Sequence, residues 1–284
     1  MATNGMNGKT CLVTGATSGV GLKTAEGLSA AGARVIVAGR NEQKVAALAA
    51  RLGPDTGSHV ADLSNQDDVR RLAREVRERY DRIDVLINNA GAFYQRRQES
   101  AGGIEMTFAL NHLAPFLLTN LLLDYLKAGG SARIVTVASI AHKGQKLEFD
   151  NLEGKPKYGS WKAYGRSKLA NILFTYELAR RLEGTGVTAN CLHPGFVASK
   201  FGHNNGGFVK GAIGLGQRLF AISEEKGAST SIHLASSPEV EGVSGKYFAK
   251  SKPIASSAAS HDEDAQARLW AISAEMVGLE QTAP

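Results

Sequence analysis

Short apolar runs alternate with helical patterns of polar and apolar residues along the whole chain. Stretches such as Gln66–Tyr80 and Met106–Leu126 have helical spacing, and the short runs between such stretches are typical of buried strands. The predicted strands are Thr10–Val13, Arg34–Ala38, Gly57–Ala61, Val85–Ile87, Arg133–Ala138, Val187–Cys191 and Gly245–Phe248. This alternation predicts an α/β fold: a single doubly wound domain over residues 1–284, with helices on both faces of a parallel sheet.

Two segments fit neither pattern, Ile140–Ser160 and Phe196–Ile222. The second contains the glycine cluster HNNGGF and scattered large apolar residues. Irregular segments of this length in a compact domain usually carry functional residues or cover a site. We therefore expect both segments to contribute to a binding pocket.

The charge pattern argues against a nucleic-acid partner. The chain has 284 residues, 43% of them hydrophobic and 21% charged, and a formal net charge of +6. Its basic residues are mixed with acids, as in RRLAREVRERYDRID, which is typical of a solvated helix face rather than a basic patch. A phosphorylated cofactor is a better reason for local positive charge.

The cysteines and the apolar runs predict the compartment. Cys11 and Cys191 both fall within predicted strands without metal-ligand spacing, which indicates buried thiols in a reducing environment. The residues before the first strand show no signal-like pattern, and no apolar run approaches the roughly 18 residues of a membrane span. We therefore predict no membrane span and a cytoplasmic protein.

A glycine turn follows the first predicted strand, in the sequence TGATSGVG. Gly15, Gly19 and Gly21 allow a tight turn and let the backbone approach a pyrophosphate, which would then face the positive end of the next helix. The alternative is an ordinary helix start. The strand before the turn and the helix after it favour dinucleotide binding.

The second predicted strand ends in VIVAGRN, where a fold that prefers NAD usually places an acidic residue for the ribose hydroxyl. Arg40 stands there instead, and a guanidinium can bind the 2′-phosphate of NADP. The alternative is a surface arginine at a strand end. Asp62, after the third strand, could hold the adenine amino group or could cap the helix that follows.

Tyr164 and Lys168 lie four residues apart in AYGRSKLAN, which would place both on one face of a helix. A cation about 4 Å from a phenol favours the phenolate by about 4 kcal/mol at an effective dielectric of about 20, so we predict a lowered tyrosine pKa. Such a tyrosine can exchange a proton near neutral pH. Ser139 ends the apolar run RIVTVAS upstream. Tyr158 and Lys162 have the same spacing but lie in a predicted loop, and the later pair is preferred.

These motifs together resemble the short-chain dehydrogenase/reductase family. The resemblance rests on TGATSGVG, the NNAG of Asn88–Gly91, Asn111, Ser139, the YxxxK of Tyr164–Lys168 and the PG of Pro194–Gly195, and it covers nearly the whole chain. The sequences LNHLAPFLLTNLLL, VASIAH and LHPGFVAS look like the retinol-dehydrogenase-like branch, as do the 25 positions between Ser139 and Tyr164. Members of that branch often carry a membrane anchor, and this chain looks like a soluble relative.

The resemblance implies a Rossmann-type fold with a seven-stranded parallel sheet, a cofactor-binding half at about residues 8–130 and a catalytic, substrate-binding half at about 131–284. It implies that Tyr164 is the general acid/base, that Lys168 binds the nicotinamide ribose, that Ser139 binds the substrate oxygen and that Asn111 positions a water. The implied cofactor-binding residues are Gly15, Thr17, Ser18, Gly19, Val20, Gly21, Arg40, Asn41, Asp62, Leu63, Asn89, Ala90, Gly91, Tyr164, Lys168, Pro194, Gly195 and Val197.

The predicted reaction is NADP(H)-dependent interconversion of a carbonyl and an alcohol. Apolar residues around the site indicate a lipophilic aldehyde or ketone, and the predicted substrate-binding residues are Ser139, Tyr164, Tyr94 and Phe196. The resemblance also implies a homodimer or homotetramer. The alternatives are a non-catalytic dinucleotide-binding regulator, which usually lacks the tyrosine or the lysine, and a sugar-nucleotide epimerase, which usually has a longer C-terminal domain.

Overall fold

The computed structural model describes residues 5–155, 157–195 and 222–280. Its strands are β1 (Thr10–Thr14), β2 (Arg34–Gly39), β3 (Gly57–Val60), β4 (Val85–Asn88), β5 (Arg133–Val137), β6 (Thr188–Leu192), β7 (Tyr247–Ala249) and β8 (Lys252–Ile254). Its helices are α1 (Gly19–Ala30), α2 (Glu42–Leu52), α3 (Gln66–Arg79), α4 (Met106–Phe108), α5 (Ala114–Ala128), α6 (Ser160–Arg181), α7 (Glu224–Ser236) and α8 (Glu263–Met276). All eight strands form one sheet in the order β3-β2-β1-β4-β5-β6-β7-β8.

Each predicted strand is present, with ends that differ from the prediction by no more than two residues. The sheet differs from the prediction in one respect, because β8 joins it as an eighth strand, antiparallel to β7. The two strands are joined by Lys250 and Ser251, both with positive φ (50° and 59°), as a two-residue hairpin turn requires. Neither residue type marks such a turn, so the sequence pattern carried no sign of it.

The central strands are buried on both faces because their side chains alternate between two apolar layers, whereas β3 is partly exposed and β8 is exposed. In register across the sheet, Ile36, Leu12, Leu86 and Ile134 belong to one cluster. The next row, Val37, Val13, Ile87 and Val135, belongs to a second cluster on the opposite face. Strands that bury both rows read as continuous apolar runs, which is why they could be recognised in the sequence.

The direction in which successive strands are added to the sheet reverses between β1 and β4, although the strands themselves are parallel. From β1 the chain moves outward through β2 and β3, and then returns to the opposite side of β1 as β4. In doubly wound sheets, ligands bind at the carboxyl ends of strands beside such a switch point. The division of the chain into a cofactor-binding and a catalytic half stays a prediction, as does the homo-oligomeric state.

The segment Met106–Ala128 contradicts the prediction that no segment could span a membrane. Its 23 residues are helical, and by length and composition they could cross a bilayer, with a mean hydropathy of 1.4 over the most apolar window. Polar residues such as Asn111 and His112 interrupt the apolar run, and a search for uninterrupted runs therefore missed it. In the folded protein 72% of that window is buried, and α5 packs against α3.

The C-terminal helix α8 packs against α6 and covers part of this segment. The Trp270 ring lies 5.0 Å from the Phe116 ring and 5.8 Å from the Phe174 ring, measured between centroids. His112 is fully buried, its Nε2 lies 2.8 Å from the Ser273 hydroxyl, and burial lowers its pKa to about 3. A neutral histidine therefore joins α8 to the segment that carries Asn111.

Candidate active site

The glycine turn lies at the carboxyl end of β1, beside the switch point. Gly15 and Gly19 have φ values of 64° and 57°, which favour glycine. A Cβ on Gly15 would lie 2.8 Å from Ala90 Cα, and one on Gly21 would lie 2.4 Å from the Gly15 carbonyl oxygen. The chain therefore needs glycine at both positions to bring the start of α1 against the end of β4.

The residues Thr17, Ser18 and Val20 lie in this turn and at the start of α1, where Ser18 is the N-cap residue. Free N–H groups at a helix start, preceded by glycines at the end of a parallel strand, fit the pyrophosphate of a dinucleotide. The residues present therefore fit the cofactor that the sequence predicts.

The loop after β4 is hydrogen-bonded to the end of β1. The Thr14 hydroxyl accepts from the N–H groups of Asn89 (3.0 Å) and Ala90 (3.2 Å), and Asn89 Nδ2 donates to the Thr14 carbonyl at 2.9 Å. These bonds hold the two strand ends at a fixed separation. Asn89 and Ala90 thus form the floor of the switch-point crevice.

Arg40 directly follows β2 and is exposed. The Tyr94 hydroxyl is hydrogen-bonded to Arg40, and Asp62 lies near enough to act on the tyrosine electrostatically. Burial is the main reason that the pKa of Tyr94 is raised. Arg40, Asp62 and Tyr94 thus form one cluster at the end of the crevice away from Tyr164.

Three of the predicted cofactor residues have side chains engaged elsewhere. Asn41 caps α2 by accepting from Lys44 N at 2.9 Å, and Leu63 is buried in the core. Asp62 accepts from the N–H and the hydroxyl of Ser64, at 3.0 and 2.7 Å. Asn65, not Asp62, is the N-cap residue of α3, so the alternative that Asp62 caps this helix is wrong.

Tyr94 lies near Arg40, and its predicted role in substrate binding stays a prediction. Successive residues of the loop after β4 face opposite ways: the Tyr94 hydroxyl meets Arg40, while the Phe93 ring lies 6.0 Å from the Tyr164 ring. Phe93 also packs on Trp161, with ring centroids 4.7 Å apart. Trp161 was missed in the sequence, although it precedes Tyr164 by three positions and so shares its helix face.

Ser139, Tyr164 and Lys168 meet at the carboxyl end of β5. Tyr164 and Lys168 are buried on one face of α6, and the Lys168 Nζ lies 5.7 Å from the centroid of the Tyr164 ring. The Ser139 hydroxyl is hydrogen-bonded to Tyr164 and accepts from Ala141 N at 3.2 Å. The three residues that the sequence singled out are therefore assembled as one group.

The pKa of Tyr164 is raised, not lowered as the sequence analysis predicted. Burial raises it to about 12, and the hydrogen bond from Ser139 acts in the opposite direction with smaller effect. Burial also lowers the pKa of Lys168 to about 8. The Lys168 ammonium donates to the Val137 carbonyl at 3.0 Å, and burial is the main cause of both pKa shifts. Tyr164 therefore holds its proton at neutral pH and is available as a donor.

Asn111 links the loop after β4 to α6. It lies in a π-helical turn, Ala109–Leu113, of the kind often found at functional sites. Its Oδ1 accepts from Ala92 N at 2.8 Å, and its Nδ2 donates to the Ala92 carbonyl and the Ser167 hydroxyl, both at 3.0 Å. A Cβ on Gly91 would lie 3.2 Å from Asn111 Oδ1 and 3.4 Å from Lys168 Nζ. The predicted water beside Lys168 stays a prediction.

The rival pair Tyr158 and Lys162 is not assembled as an acid/base site. The Tyr158 hydroxyl donates to the Tyr94 carbonyl at 3.0 Å and lies 3.2 Å from Glu105, and burial raises its pKa to about 12. Lys162 forms an exposed ion pair with Glu148 at 2.8 Å. The Tyr158 hydroxyl thus holds the loop that carries Tyr94 in place through a hydrogen bond.

Pro194 and Gly195 follow β6, on the same edge of the sheet as Ser139. Gly195 has a φ of 87°, and its N–H donates to His193 Nδ1 at 3.1 Å. Phe196 and Val197, with most of the predicted apolar segment that follows, lie outside the described residues.

A cofactor turn at the switch point, with a half-buried serine and a buried tyrosine and lysine two strands away, is the arrangement of an oxidoreductase. Residues 9–207 match the family of short chain dehydrogenases. The chain belongs to this family, whose members use NAD or NADP, and within it to the retinol-dehydrogenase-like branch.

Similar proteins support both assignments. Human retinol dehydrogenase 14 is 45% identical over 96% of this chain and 88% of its own length. Human retinol dehydrogenase 13 is 42% identical over 96% and 86%. The crystal structure of an uncharacterised Mycobacterium paratuberculosis protein is 31% identical, with a TM-score of 0.79 and coverage of 98% and 96%.

The prediction of a cytoplasmic protein is contradicted. The prediction rested on the absence of a stretch long and apolar enough to span a membrane. It treated the chain as a soluble relative of a branch whose members often carry a membrane anchor. The chain aligns with retinol dehydrogenases over 96% of its length, and Met106–Ala128 meets the length and composition of a membrane span.

Proposed function

We propose that this protein interconverts a lipophilic aldehyde or ketone and its alcohol with NADP(H). The observation that carries the proposal is the group of Ser139 with the buried Tyr164 and Lys168, assembled at the same carboxyl edge of the sheet as the glycine turn. The finding that the chain is a short-chain oxidoreductase supports the reaction class.

In the proposed reduction the cofactor supplies the hydride, and the protein handles the proton and the charge. Tyr164, protonated at neutral pH, gives its proton to the oxygen that gains charge, and the Ser139 hydroxyl donates a second hydrogen bond to it. Lys168 holds a positive charge beneath the Tyr164 ring and would bind the nicotinamide ribose. Alcohol oxidation uses the same groups in reverse.

The preference for NADP is proposed from Arg40. Its exposed guanidinium stands where NAD-binding folds place an acid, and the Tyr94 hydroxyl contacts it from the other side of the crevice. A solved family member from Beutenbergia cavernae, 29% identical with a TM-score of 0.70, has NADP bound at low occupancy.

The lipophilic substrate is proposed from exposed apolar side chains at the mouth of the site. Trp161 is 57% exposed and Ile140, next to Ser139, is 46% exposed. Such side chains beside a buried polar group are typical of sites for apolar ligands. The name retinol dehydrogenase, carried by the relatives, agrees with a long apolar alcohol.

The proposal is tested by following NADPH absorbance with apolar aldehydes and ketones of increasing length and with short polar aldehydes. We expect turnover that rises with chain length and exceeds the rate with NADH. If NADPH binds and no carbonyl or alcohol is turned over, the non-catalytic regulator is the correct function.

Replacing Trp161 by alanine is expected to raise the KM for the best apolar substrate about tenfold with little change in kcat, because an aromatic contact contributes about 1 kcal/mol beyond buried area. The KM for a short aldehyde should not change. Ile254→Ala, an exposed apolar residue at the sheet edge, is the control. Equal KM changes for both aldehydes would show that Trp161 supports the fold and not the substrate.

A further inference from the structure

His142 joins the catalytic serine to a distant part of the chain. It lies in the short helical turn after Ser139, and its imidazole is completely buried. Its Nδ1 lies 2.7 Å from the Ser139 carbonyl oxygen, and the backbone N–H of Ser257 donates to its Nε2 at 3.1 Å. Ser257 stands after β8, 115 residues further along the chain. The ring therefore bridges the end of β5 and the segment after the terminal hairpin.

These two partners determine which ring nitrogen carries the proton. A backbone N–H can only donate, so Nε2 of His142 must offer its lone pair to Ser257. A carbonyl oxygen can only accept, so Nδ1 carries the proton and donates to Ser139. A second proton on Nε2 would place two donors against each other and break the bond to Ser257. The bridge is therefore intact only while His142 is neutral.

The surroundings of the ring also favour the neutral form. Burial is the main reason that the pKa of His142 is lowered; the hydrogen bond to the Ser139 carbonyl acts in the opposite direction, and the neighbouring Lys143 lowers the pKa further. His193, at the end of β6, is close enough for its charge to oppose a charge on His142. From β7, the Tyr247 ring packs against the imidazole with centroids 5.1 Å apart, and α6 closes the turn at Gly165, where a Cβ would lie 2.7 Å from Ala141 O.

The bridge bears directly on the orientation of Ser139. The hydroxyl of this residue accepts from Ala141 N and is hydrogen-bonded to Tyr164, while its carbonyl accepts from His142. We infer that His142 is a positioning residue: as the neutral Nδ1–H tautomer it fixes the Ser139 peptide so that the hydroxyl faces Tyr164, and its protonation makes turnover fall at acid pH. This inference rests on the proposed function, because Ser139 matters only if it binds the reacting oxygen.

Two variants of His142 distinguish the effects of its hydrogen bonds to Ser139 and Ser257. His142→Asn keeps an N–H near the position of Nδ1 but cannot titrate or reach Ser257; His142→Phe keeps a ring against Tyr247 and removes both bonds. His261→Asn is the control, an exposed histidine whose Nε2 contacts the Ser256 hydroxyl at 3.0 Å. We expect kcat to fall about tenfold in His142→Phe, the size that one lost hydrogen bond can produce, with the KM for NADPH unchanged. In His142→Asn, kcat should be largely retained.

The pH profile of kcat provides the readout that a purely structural role would not change. Because the pKa of His142 is lowered, the wild type and His261→Asn should keep kcat down to the ordinary histidine value of about 6.5 and lose it only at lower pH, and His142→Asn should lose this acid limb. An acid limb that persists in His142→Asn would overturn the inference. If His142→Phe fails to fold, as judged by circular dichroism, the asparagine variant still decides.

Nitrogen-15 NMR of the imidazole tests the bridge without any substrate. The inference expects a neutral Nδ1–H tautomer for His142 that persists below the ordinary histidine pKa of about 6.5. An Nε2–H tautomer, or protonation of His142 at or above that value, would overturn it. If the wild type turns over no substrate while the NMR result is as expected, the proposed function fails and the bridge itself stands.

Discussion

Replacing Tyr164 by phenylalanine is expected to lower kcat by about 10² to 10⁴-fold, the usual contribution of a positioned general acid. The variant keeps the buried ring that packs against Phe93 and removes the proton that the developing alkoxide needs. Ser139 also loses its hydroxyl partner but can still donate to the substrate oxygen. NADPH binding, measured by fluorescence titration, should change by less than about tenfold, so the loss should appear in single-turnover rates.

The matched control for this variant is Tyr158→Phe, which removes a hydroxyl of similar pKa from the rival pair. Its hydroxyl fastens the Tyr94 carbonyl, so we expect a modest loss of stability and turnover within about tenfold of the wild type. Near-normal turnover in Tyr164→Phe together with a large loss in Tyr158→Phe would reverse the assignment of the acid.

Replacing Arg40 by aspartate is expected to raise the KM for NADPH roughly 100-fold, because a charge-assisted hydrogen bond contributes about 1.5–3 kcal/mol and the new carboxylate repels the phosphate. The KM for NADH should stay the same or fall, since aspartate can accept from the ribose hydroxyl. The ratio of kcat/KM values for the two cofactors is the measurement.

Arg51→Asp makes the same charge change at the far end of α2, where Arg51 pairs with Glu26. It should leave the cofactor ratio unchanged, which separates a local contact from a general effect of net charge. An unchanged ratio in Arg40→Asp would show that another group reads the phosphate.

Most of the strands could be predicted from the sequence because both of their faces are buried and each therefore appears as a continuous apolar run; β3, with the sequence GSHV, is partly exposed. The hairpin of β7 and β8 could not be predicted, since Lys250 and Ser251 adopt positive φ without the glycine or asparagine that usually marks such turns. Likewise, Met106–Ala128 has the polar residues Asn111 and His112 inside an otherwise apolar helix, and both are buried through contacts that only the folded chain supplies.

At the candidate site, motif spacing was enough to bring Ser139, Tyr164 and Lys168 together, but not to give their titration behaviour. Spacing indicates that two side chains share a helix face. It does not indicate that the Lys168 ammonium donates to Val137 or that burial is the main influence on the pKa of Tyr164. Spacing also could not predict which of Phe93 and Tyr94 faces Tyr164. The direction of each ring depends on the hydrogen bonds that Tyr158 and Asn111 form with the loop.

The contact between His112 and Ser273 has a consequence for the synthesis of the protein. These residues are 161 positions apart, so the helix that carries Asn111 leaves the ribosome long before α8 can cover it. During that interval its apolar side is open to chaperones or to neighbouring nascent chains. Completion of the fold around this helix is thus a late event of translation.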